Sequence, residues 1–253
     1  MRYAVISDIH ANLEALTSVL ESIESERIGR IVCLGDLVGY YANPNECIQI
    51  LRDRGIACVA GNHDRVATGA KEPDRFGQAG KKAIYWTREV LLPDNRAWLE
   101  GLPIVTAADG RFLMVHAALY PEPNDELYVR TREQAAINLK ALADHSSKLP
   151  LCFLGHTHVP FLSRDRGRET TLETGEFHRL EPGARYLANP GSVGKPRDAD
   201  PRASYLIFDS GELTIQFRRV DYDRETTLHK ADQAGLILHK SLLVKLRDWI
   251  SEL

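Results

Sequence analysis

The segment Tyr3-Ala-Val-Ile-Ser-Asp-Ile-His10 decides the fold class of this chain of 253 residues. Residues 3–7 form a short apolar run of strand length, and apolar side chains then recur at helical spacing from Leu13 to Ile23. Asp8 and His10 lie between the two patterns, directly after the strand. The segment therefore predicts a strand, a polar loop and a helix.

The same alternation continues through the first half of the chain. Further elements are predicted at residues 31–34 (strand), 44–51 (helix), 56–59 (strand), 76–90 (helix), 112–115 (strand), 131–145 (helix) and 151–154 (strand). The helix at 131–145 begins with a capping box, Thr131-Arg-Glu-Gln134, whereas residues 61–64 are predicted as a loop. Alternating strands and helices indicate a sheet with helices on its faces.

After residue 154 short strand-like pieces follow one another with turn residues between them. A second sheet is predicted from strands at 170–173, 177–180, 186–188, 205–208 and 213–217. The first two are expected to pair as a hairpin around Thr174-Gly175, and a helix is expected at 242–253. No linker or repeat divides the chain, so we predict an α/β fold with two sheets packed in one domain, residues 1–253, and helices outside.

The composition is that of an ordinary globular protein, with 43% hydrophobic and 26% charged residues. Its formal net charge of -3 gives no reason to expect a polyanion-binding surface, so a nucleic acid is not the expected partner. We see no secretory signal and no apolar run long enough to cross a bilayer. We interpret the four cysteines as reduced core residues. Together these features predict a cytoplasmic protein without a membrane partner.

Acidic, amide and histidine side chains follow five of the predicted strands. They are Asp8 with His10, Asp36, Asn62 with His63, His116, and His156 with His158. Taken singly, an aspartate after a strand is usually a turn or cap residue, and a histidine such as His116 is usually a hydrogen-bonded core residue. Loops beyond the carboxyl ends of strands converge on one crevice, however, and burying so many ionisable groups there without metal would be costly. Together they predict a metal site.

In this order, the motifs resemble the signature of the calcineurin-like metallophosphoesterases. The motifs are Asp8-x-His10, Gly35-Asp36, Gly61-Asn-His-Asp64, His116 and Gly155-His-x-His158. The segment Asn189-Pro-Gly-Ser192 also looks like a second-sheet segment of small prokaryotic members. The resemblance covers nearly the whole chain and implies a four-layer α/β/β/α sandwich of two packed mixed sheets flanked by helices.

The resemblance also implies a role for each residue of the predicted site. One divalent metal ion would be bound by Asp8, His10 and His158, the other by Asn62, His116 and His156, with Asp36 bridging both. Two ions about 3.5–4 Å apart would activate a hydroxide for in-line attack on phosphorus, and His63 would protonate the leaving oxygen. Mixed nitrogen and oxygen ligands suit Mn²⁺, Fe or Zn²⁺, among which we favour Mn²⁺.

Departures from the family's pattern narrow the expected substrate. The protein serine/threonine phosphatases of the superfamily carry Asp-Arg after the bridging aspartate, where this chain has Leu37-Val38. After His116, residues 117–120 replace the Gly-Ser-Pro-Arg that is often found in related small members. With fewer cationic side chains to hold a dianion, a phosphodiester monoanion is the expected substrate.

Candidate substrate contacts are Asn12, at the start of the first helix, and Tyr40, Arg65, Lys195 and Arg197. Lys195 and Arg197 fit the alternative interpretation, solvated charges on a loop, as well as they fit a phosphate contact. For Tyr40 the alternative interpretation is a packed residue at the rim of the site.

We therefore predict a dinuclear metal-dependent phosphodiesterase acting on a small phosphorylated or nucleotide-like substrate. The alternatives are a nucleotide or phosphoprotein phosphomonoesterase on the same site, a non-catalytic metal-binding scaffold, and a nuclease. The net charge of -3 and the absence of a basic stripe or interleaved aromatic residues from the sequence argue against the nuclease. The oligomeric state stays open.

Overall fold

The computed structural model describes residues 1–165, 170–173 and 175–237. The helices are α1 (Leu13–Ser25), α2 (Pro44–Asp53), α3 (Asn62–Thr68), α4 (Gln78–Val90), α5 (Pro93–Glu100), α6 (Arg132–Asp144) and α7 (Arg224–Gln233). The strands are β1 (Arg2–Ile6), β2 (Arg30–Cys33), β3 (Ala57–Cys58), β4 (Val105–Ala108), β5 (Phe112–Val115), β6 (Leu151–Phe153), β7 (Phe161–Asp165), β8 (Thr170–Glu173), β9 (Phe177–Arg179), β10 (Tyr186–Asn189), β11 (Ala203–Asp209) and β12 (Thr214–Val220).

Within these ranges the strands form two six-stranded sheets, ordered β3-β2-β1-β11-β12-β9 and β4-β5-β6-β10-β7-β8. In the first sheet β1, β2 and β3 are parallel, and β11 runs antiparallel to β1. In the second sheet β5, β6 and β10 are parallel, and β4 and β7 pair antiparallel with this group. Both sheets are therefore mixed, as predicted.

Alternate residues of β1 show how the layers pack. Tyr3 and Val5 face the second sheet, and the Tyr3 ring meets the Phe112 ring of β5 edge-on at 5.1 Å between centroids. Ala4 and Ile6 face the other way and pack in the cluster that includes the apolar side of α1. Apolar residues of α6 cover the outer face of the second sheet in the same manner. The four-layer arrangement of helices, two sheets and helices is confirmed.

The expected division of strands between the sheets was wrong. The late strands β11, β12 and β9 belong to the first sheet, where Tyr3 of β1 pairs with Phe208 of β11, and the early strands β4, β5 and β6 belong to the second. The predicted hairpin is also absent from the described residues, because β8 pairs with β7 whereas β9 pairs with β12 in the other sheet. A turn signal reports that the chain bends, but not which strand it will join.

Other local expectations had mixed outcomes. The capping box is confirmed, since Thr131 Oγ1 accepts from Gln134 N at 3.3 Å and Gln134 Oε1 from Thr131 N at 3.1 Å. The predicted loop at 61–64 instead begins helix α3, and α7 was not foreseen. The predicted helix at 242–253 lies outside the described residues. Of the helices described, none is long and apolar enough to cross a membrane.

Candidate metal centre

The predicted ligands come together where the carboxyl ends of β1, β2 and β3 meet those of β5 and β6. The connecting loops turn sharply, because five of the ligand residues have left-handed backbone conformations. Their φ angles are +55° at Asp8, +54° at His10, +53° at Asp36, +64° at His156 and +60° at His158. Such conformations cost about 1–3 kcal/mol each in residues other than glycine, and they cluster at functional sites. The rest of the fold therefore stabilises strained loop conformations, in which these side chains point toward one another.

The first group of side chains contains Asp8, His10 and His158, all at most 1% exposed. His10 Nε2 lies 3.1 Å from His158 Nε2, which lies 3.2 Å from Asp8 Oδ1. Asp36 Oδ2 approaches His10 Nε2 to 3.7 Å. Each of the four residues offers one ligand atom, and these atoms lie within 4.8 Å of one another.

The second group contains His116 and His156, together with the same aspartate, Asp36. Asp36 Oδ2 is 3.4 Å from His116 Nε2, and that nitrogen is 3.2 Å from His156 Nδ1. Asn62, at the start of α3, borders the same cavity as His156, and its Oδ1 is buried without a hydrogen-bond partner. Asp36 therefore lies between two groups of donors, the position of a bridging ligand.

Backbone carbonyls orient all four histidines of these groups. The outer ring nitrogens lie 3.2 Å (His10 to Val38 O), 2.7 Å (His116 to Leu34 O), 3.0 Å (His156 to Glu126 O) and 2.5 Å (His158 to Lys195 O) from their partners. A carbonyl oxygen can only accept, so each outer nitrogen must carry the proton. In the neutral ring the inner nitrogen then presents a lone pair to the centre, the usual arrangement of metal-binding histidines.

The electrostatics of the site also favour cations. Burial lowers the pKa of His156 to about 3 and that of His10 well below its usual value, which keeps both rings neutral and able to coordinate. Burial would lower the pKa of His116 as well, but the Asp36 carboxylate raises it to about 10, so in the metal-free protein this ring is protonated and must release a proton before its inner nitrogen can coordinate. Asp8 Oδ1 is buried without a hydrogen-bond partner. Converging lone pairs, two carboxylates and unpartnered oxygens are a donor set that fits divalent metal ions.

His63 lies beside these groups without belonging to either. Its ring is enclosed by those of His10, Tyr40 and Phe76, at centroid distances of 4.7, 4.7 and 4.5 Å. Nδ1 is buried without a hydrogen-bond partner, and a Cβ at Gly39 would come within 2.3 Å of it. Burial lowers the pKa of His63 to about 4. The side chain is thus held beside the two groups by packing against these three rings.

Asp64 holds the loops of the centre together. Its Oδ1 accepts from Leu37 N at 2.8 Å and Val38 N at 3.2 Å, and its Oδ2 accepts from Gly61 N at 2.9 Å. The carboxylate therefore joins the loop after β2 to the loop after β3. A Cβ at Gly61 would lie 2.1 Å from Asp36 Oδ1, so a side chain there would displace the Asp36 carboxylate.

A family model described as a calcineurin-like phosphoesterase superfamily domain matches residues 1–212. The chain belongs to the calcineurin-like phosphoesterase superfamily. The match spans every residue of the two groups and His63, and the resemblance seen in the motifs is confirmed. The family is one of metal-dependent hydrolases of phosphoric esters, so the expected class of enzyme is supported at this level.

Similar proteins match this phosphoesterase chain over most of their length. An uncharacterised protein of Methanocaldococcus jannaschii is 39% identical over 231 residues, 90% of each chain. The crystal structure of a metallophosphoesterase from Sphaerobacter thermophilus is 37% identical with a TM-score of 0.79, over 94% of this chain and 95% of that one. A hypothetical protein from Pyrococcus horikoshii OT3, 19% identical, has a TM-score of 0.74 over 93% and 94% of the chains, and shows the fold alone.

Three of the five candidate substrate residues of this phosphoesterase lie beside the centre. The Tyr40 ring is 4.8 Å from that of His10, and Lys195 Nζ lies 4.6 Å from the Tyr40 centroid. Arg197 Nη2 is 3.5 Å from Tyr40 Oη. Tyr40 thus connects the candidate metal site to two cationic side chains on a neighbouring loop.

The other two candidates have structural partners elsewhere. Asn12 is fully buried and caps α1, with Oδ1 accepting from Ala15 N at 3.1 Å and Nδ2 donating to Gly194 O at 2.9 Å. Arg65 Nη1 lies 3.4 Å from both carboxylate oxygens of the buried Asp125. The structure therefore gives Asn12 a capping role and neutralises Arg65, and brings neither side chain to the group around Tyr40.

Sequence reasoning missed the loop that supports His156. The Tyr128 ring stacks on His156 at 4.1 Å and 26°, and the Arg130 guanidinium lies 3.8 Å from the Tyr128 centroid. The Glu126 carbonyl of the same loop orients His156. This loop has no strand or helix pattern to place it, and a main-chain carbonyl has no signature in a sequence.

Proposed function

We propose that this chain is a dinuclear metal-dependent phosphoesterase that hydrolyses phosphodiester bonds in small or nucleotide-like substrates. The observation that carries the proposal is the position of Asp36 between two buried donor groups, with His63 adjacent but bound to neither. Such a pair of sites with an independent proton donor can hydrolyse a phosphoric ester by two-metal and general-acid catalysis.

The residues divide naturally between two ions. Asp8, His10 and His158 would hold one ion, and Asn62, His116 and His156 the other, with Asp36 shared. When bound, the ions would supply Lewis-acid stabilisation of the phosphoryl oxygens and lower the pKa of an attacking water. Mixed imidazole and carboxylate donors suit Mn²⁺, Fe or Zn²⁺, and Mn²⁺ is the ion that we would test first.

His63 is the proposed general acid. Its lowered pKa leaves the ring neutral in the free protein at neutral pH. An anionic ester bound next to it favours the protonated ring, which can then pass a proton to the leaving oxygen. Packing against Phe76 and Tyr40 restricts the ring to one orientation, so the proton is delivered at a defined place.

The charges around the centre favour a diester over a monoester. Lys195 and Arg197 are the two cations that the structure brings to Tyr40, whereas Arg65 is paired with Asp125. A monoester dianion needs more compensation than a diester monoanion. A phosphomonoesterase is the second candidate, because Lys195 and Arg197 together could still hold a dianion.

The test is hydrolysis of bis(4-nitrophenyl) phosphate and 4-nitrophenyl phosphate by metal-stripped protein, with and without Mn²⁺. We expect Mn²⁺ to restore cleavage of the diester with a higher kcat/KM than that of the monoester. Preference for the monoester would favour the phosphatase. Bound metal without turnover of either compound would instead support the non-catalytic scaffold and contradict the proposal.

A further inference from the structure

A cavity of about 690 Å³ lies beside the metal centre. Asn62 and His156 form part of its wall, so the cavity opens directly onto the proposed ligands of one metal ion. Cavities of roughly 300–1,000 Å³ are the size that holds small organic ligands. We call this space the side cavity.

Exposed apolar side chains concentrate in the side cavity. Tyr120, Leu127, Tyr128 and Ile137 are between 38% and 52% exposed, and all four line it. Phe76 also lines the cavity, and its ring lies 4.5 Å from the His63 ring between centroids, so the cavity wall extends to His63. Large apolar residues that are exposed usually lie singly on a surface, whereas a cluster in a concave site marks a place that binds an apolar group.

The cationic side chains of the wall are already paired with acids. Lys71 Nζ lies 2.9 Å from Glu126 Oε1, and Arg75 Nη1 lies 3.2 Å from Glu126 Oε2. Glu72 and Asp74 add two more acids to the wall. These acids therefore largely cancel the attraction of the lysine and the arginine for an organic group that carries further phosphates.

The apolar residues of the wall differ in their contact with the metal ligands. The Tyr128 ring is already engaged by His156 and Arg130. Tyr120 is 52% exposed and Ile137 of α6 is 44% exposed. Within the part of the chain that the structure describes, no ring contact or side-chain hydrogen bond joins either residue to a proposed metal ligand. These two side chains can be truncated without touching a proposed metal ligand.

We propose that the side cavity binds an uncharged aromatic ester group of the substrate, of the size of an aryl or nucleoside group, while the phosphoryl group lies at the metal centre. This rests on the proposed phosphodiesterase function and defines its substrate class. Diesters with an uncharged aromatic group are bound better than dialkyl esters, and better than esters whose organic group carries further negative charge.

The test measures binding to the Mn²⁺-loaded protein by calorimetry. The probes are diphenylphosphinate and dimethylphosphinate, monoanions that resemble a diester but have no ester bond. We expect the diphenyl compound to bind at least about tenfold more tightly. Tyr120→Ala and Ile137→Ala should each weaken its binding about fivefold and change that of the dimethyl compound less than twofold. Tyr85→Ala is the matched control, because Tyr85 is 47% exposed and lies outside the cavity wall.

Equal affinity for the two probes, or equal effects of Tyr85→Ala and Tyr120→Ala, would overturn the inference. Tighter binding of bis(4-carboxyphenyl)phosphinate than of the diphenyl parent would overturn its charge argument. Turnover of bis(4-nitrophenyl) phosphate is measured on the same samples. If turnover is normal and the probes do not discriminate, only the inference fails, whereas metal-loaded protein without turnover contradicts the proposed function.

Discussion

The two halves of the proposed metal centre differ in their contact with solvent. The half formed by Asp8, His10 and His158, the sealed half, is at most 1% exposed. The half formed by Asn62, His116 and His156, the open half, borders the side cavity, where Asn62 is 8% and His156 is 6% exposed. The sealed half is thus fixed by the folded core, whereas the open half is where a substrate can enter.

The supports of the two halves differ in the same way. In the sealed half, the loops after β2 and β10 supply the carbonyls of Val38 and Lys195 that orient the histidines. In the open half, His156 depends on the Glu126 carbonyl and the Tyr128 ring, both in a loop that also lines the cavity. We therefore expect changes in that loop to alter the open half first.

The largest effect is expected from Asp36→Asn, which changes the residue that the two halves share. Loss of the bridging charge should lower kcat/KM for a diester about 1,000-fold or more, because both halves lose a ligand charge. The measurement is steady-state hydrolysis with metal content from the same samples. Near-normal activity would show that the halves do not depend on a common carboxylate.

His63→Ala should lower kcat by about 100- to 10,000-fold and leave metal content unchanged, because His63 belongs to neither half. The loss should shrink for diesters with good leaving groups, which need less protonation. Plots of kcat against leaving-group pKa for the wild type and the variant measure this. An equal loss across the series, or loss of metal, would assign His63 a structural role instead.

Acid should destabilise the metal-stripped protein, since each half contains a histidine with a lowered pKa. Burial lowers the pKa of His10, lowers that of His63 to about 4 and lowers that of His156 to about 3. Below pH 6.5 these histidines are therefore protonated in the unfolded chain while they stay neutral in the folded chain. Asp64, whose pKa burial raises to about 7, opposes this with one proton. His116, whose pKa is raised to about 10, keeps its proton in the folded chain over this range, and because the unfolded chain is mostly unprotonated at pH 7 this group also opposes the loss, by less than one proton.

The unfolding free energy should therefore fall by on the order of 3 kcal/mol between pH 7 and pH 5. Urea denaturation in the presence of a chelator measures it. Greater stability at pH 5 than at pH 7 would show that the histidines are not held neutral in the folded state.

The smallest effect is expected from Tyr128→Ala, which leaves every proposed ligand in place. Loss of the ring stacked on His156 should weaken the binding of one of two metal ions about tenfold and spare the other. Calorimetric metal titration of this variant and of Tyr85→Ala, as a control, separates the two sites. Equal weakening of both ions would mean that the halves are not independent.

The sequence predicted the parts of this centre that depend on strand ends. Asp8, Asp36 and His116 follow short apolar runs, and such runs form parallel strands whose ends converge. Strand partners were harder to predict, because the alternation in β12 indicates one buried face but not the neighbour that pairs with it. The pattern could not reveal that β9 and β8 join different sheets.

Individual side chains outside the motifs were predicted less well. Asn12 stands where a substrate contact is expected, but its amide is used by α1 and by Gly194. Tyr128 reaches His156 from a loop without regular structure, so no periodicity indicates it. Every residue has a backbone carbonyl, so the sequence does not indicate which carbonyl, such as that of Leu34 at His116, will contact a given side chain.

The most direct measurement is a calorimetric titration of Mn²⁺ into the metal-stripped protein, with diester hydrolysis measured in the same samples. Two donor groups that share Asp36 predict two equivalents of bound ion, and activity that appears as the second site fills. Binding of only one equivalent, or full activity in the presence of a chelator, would contradict the dinuclear centre.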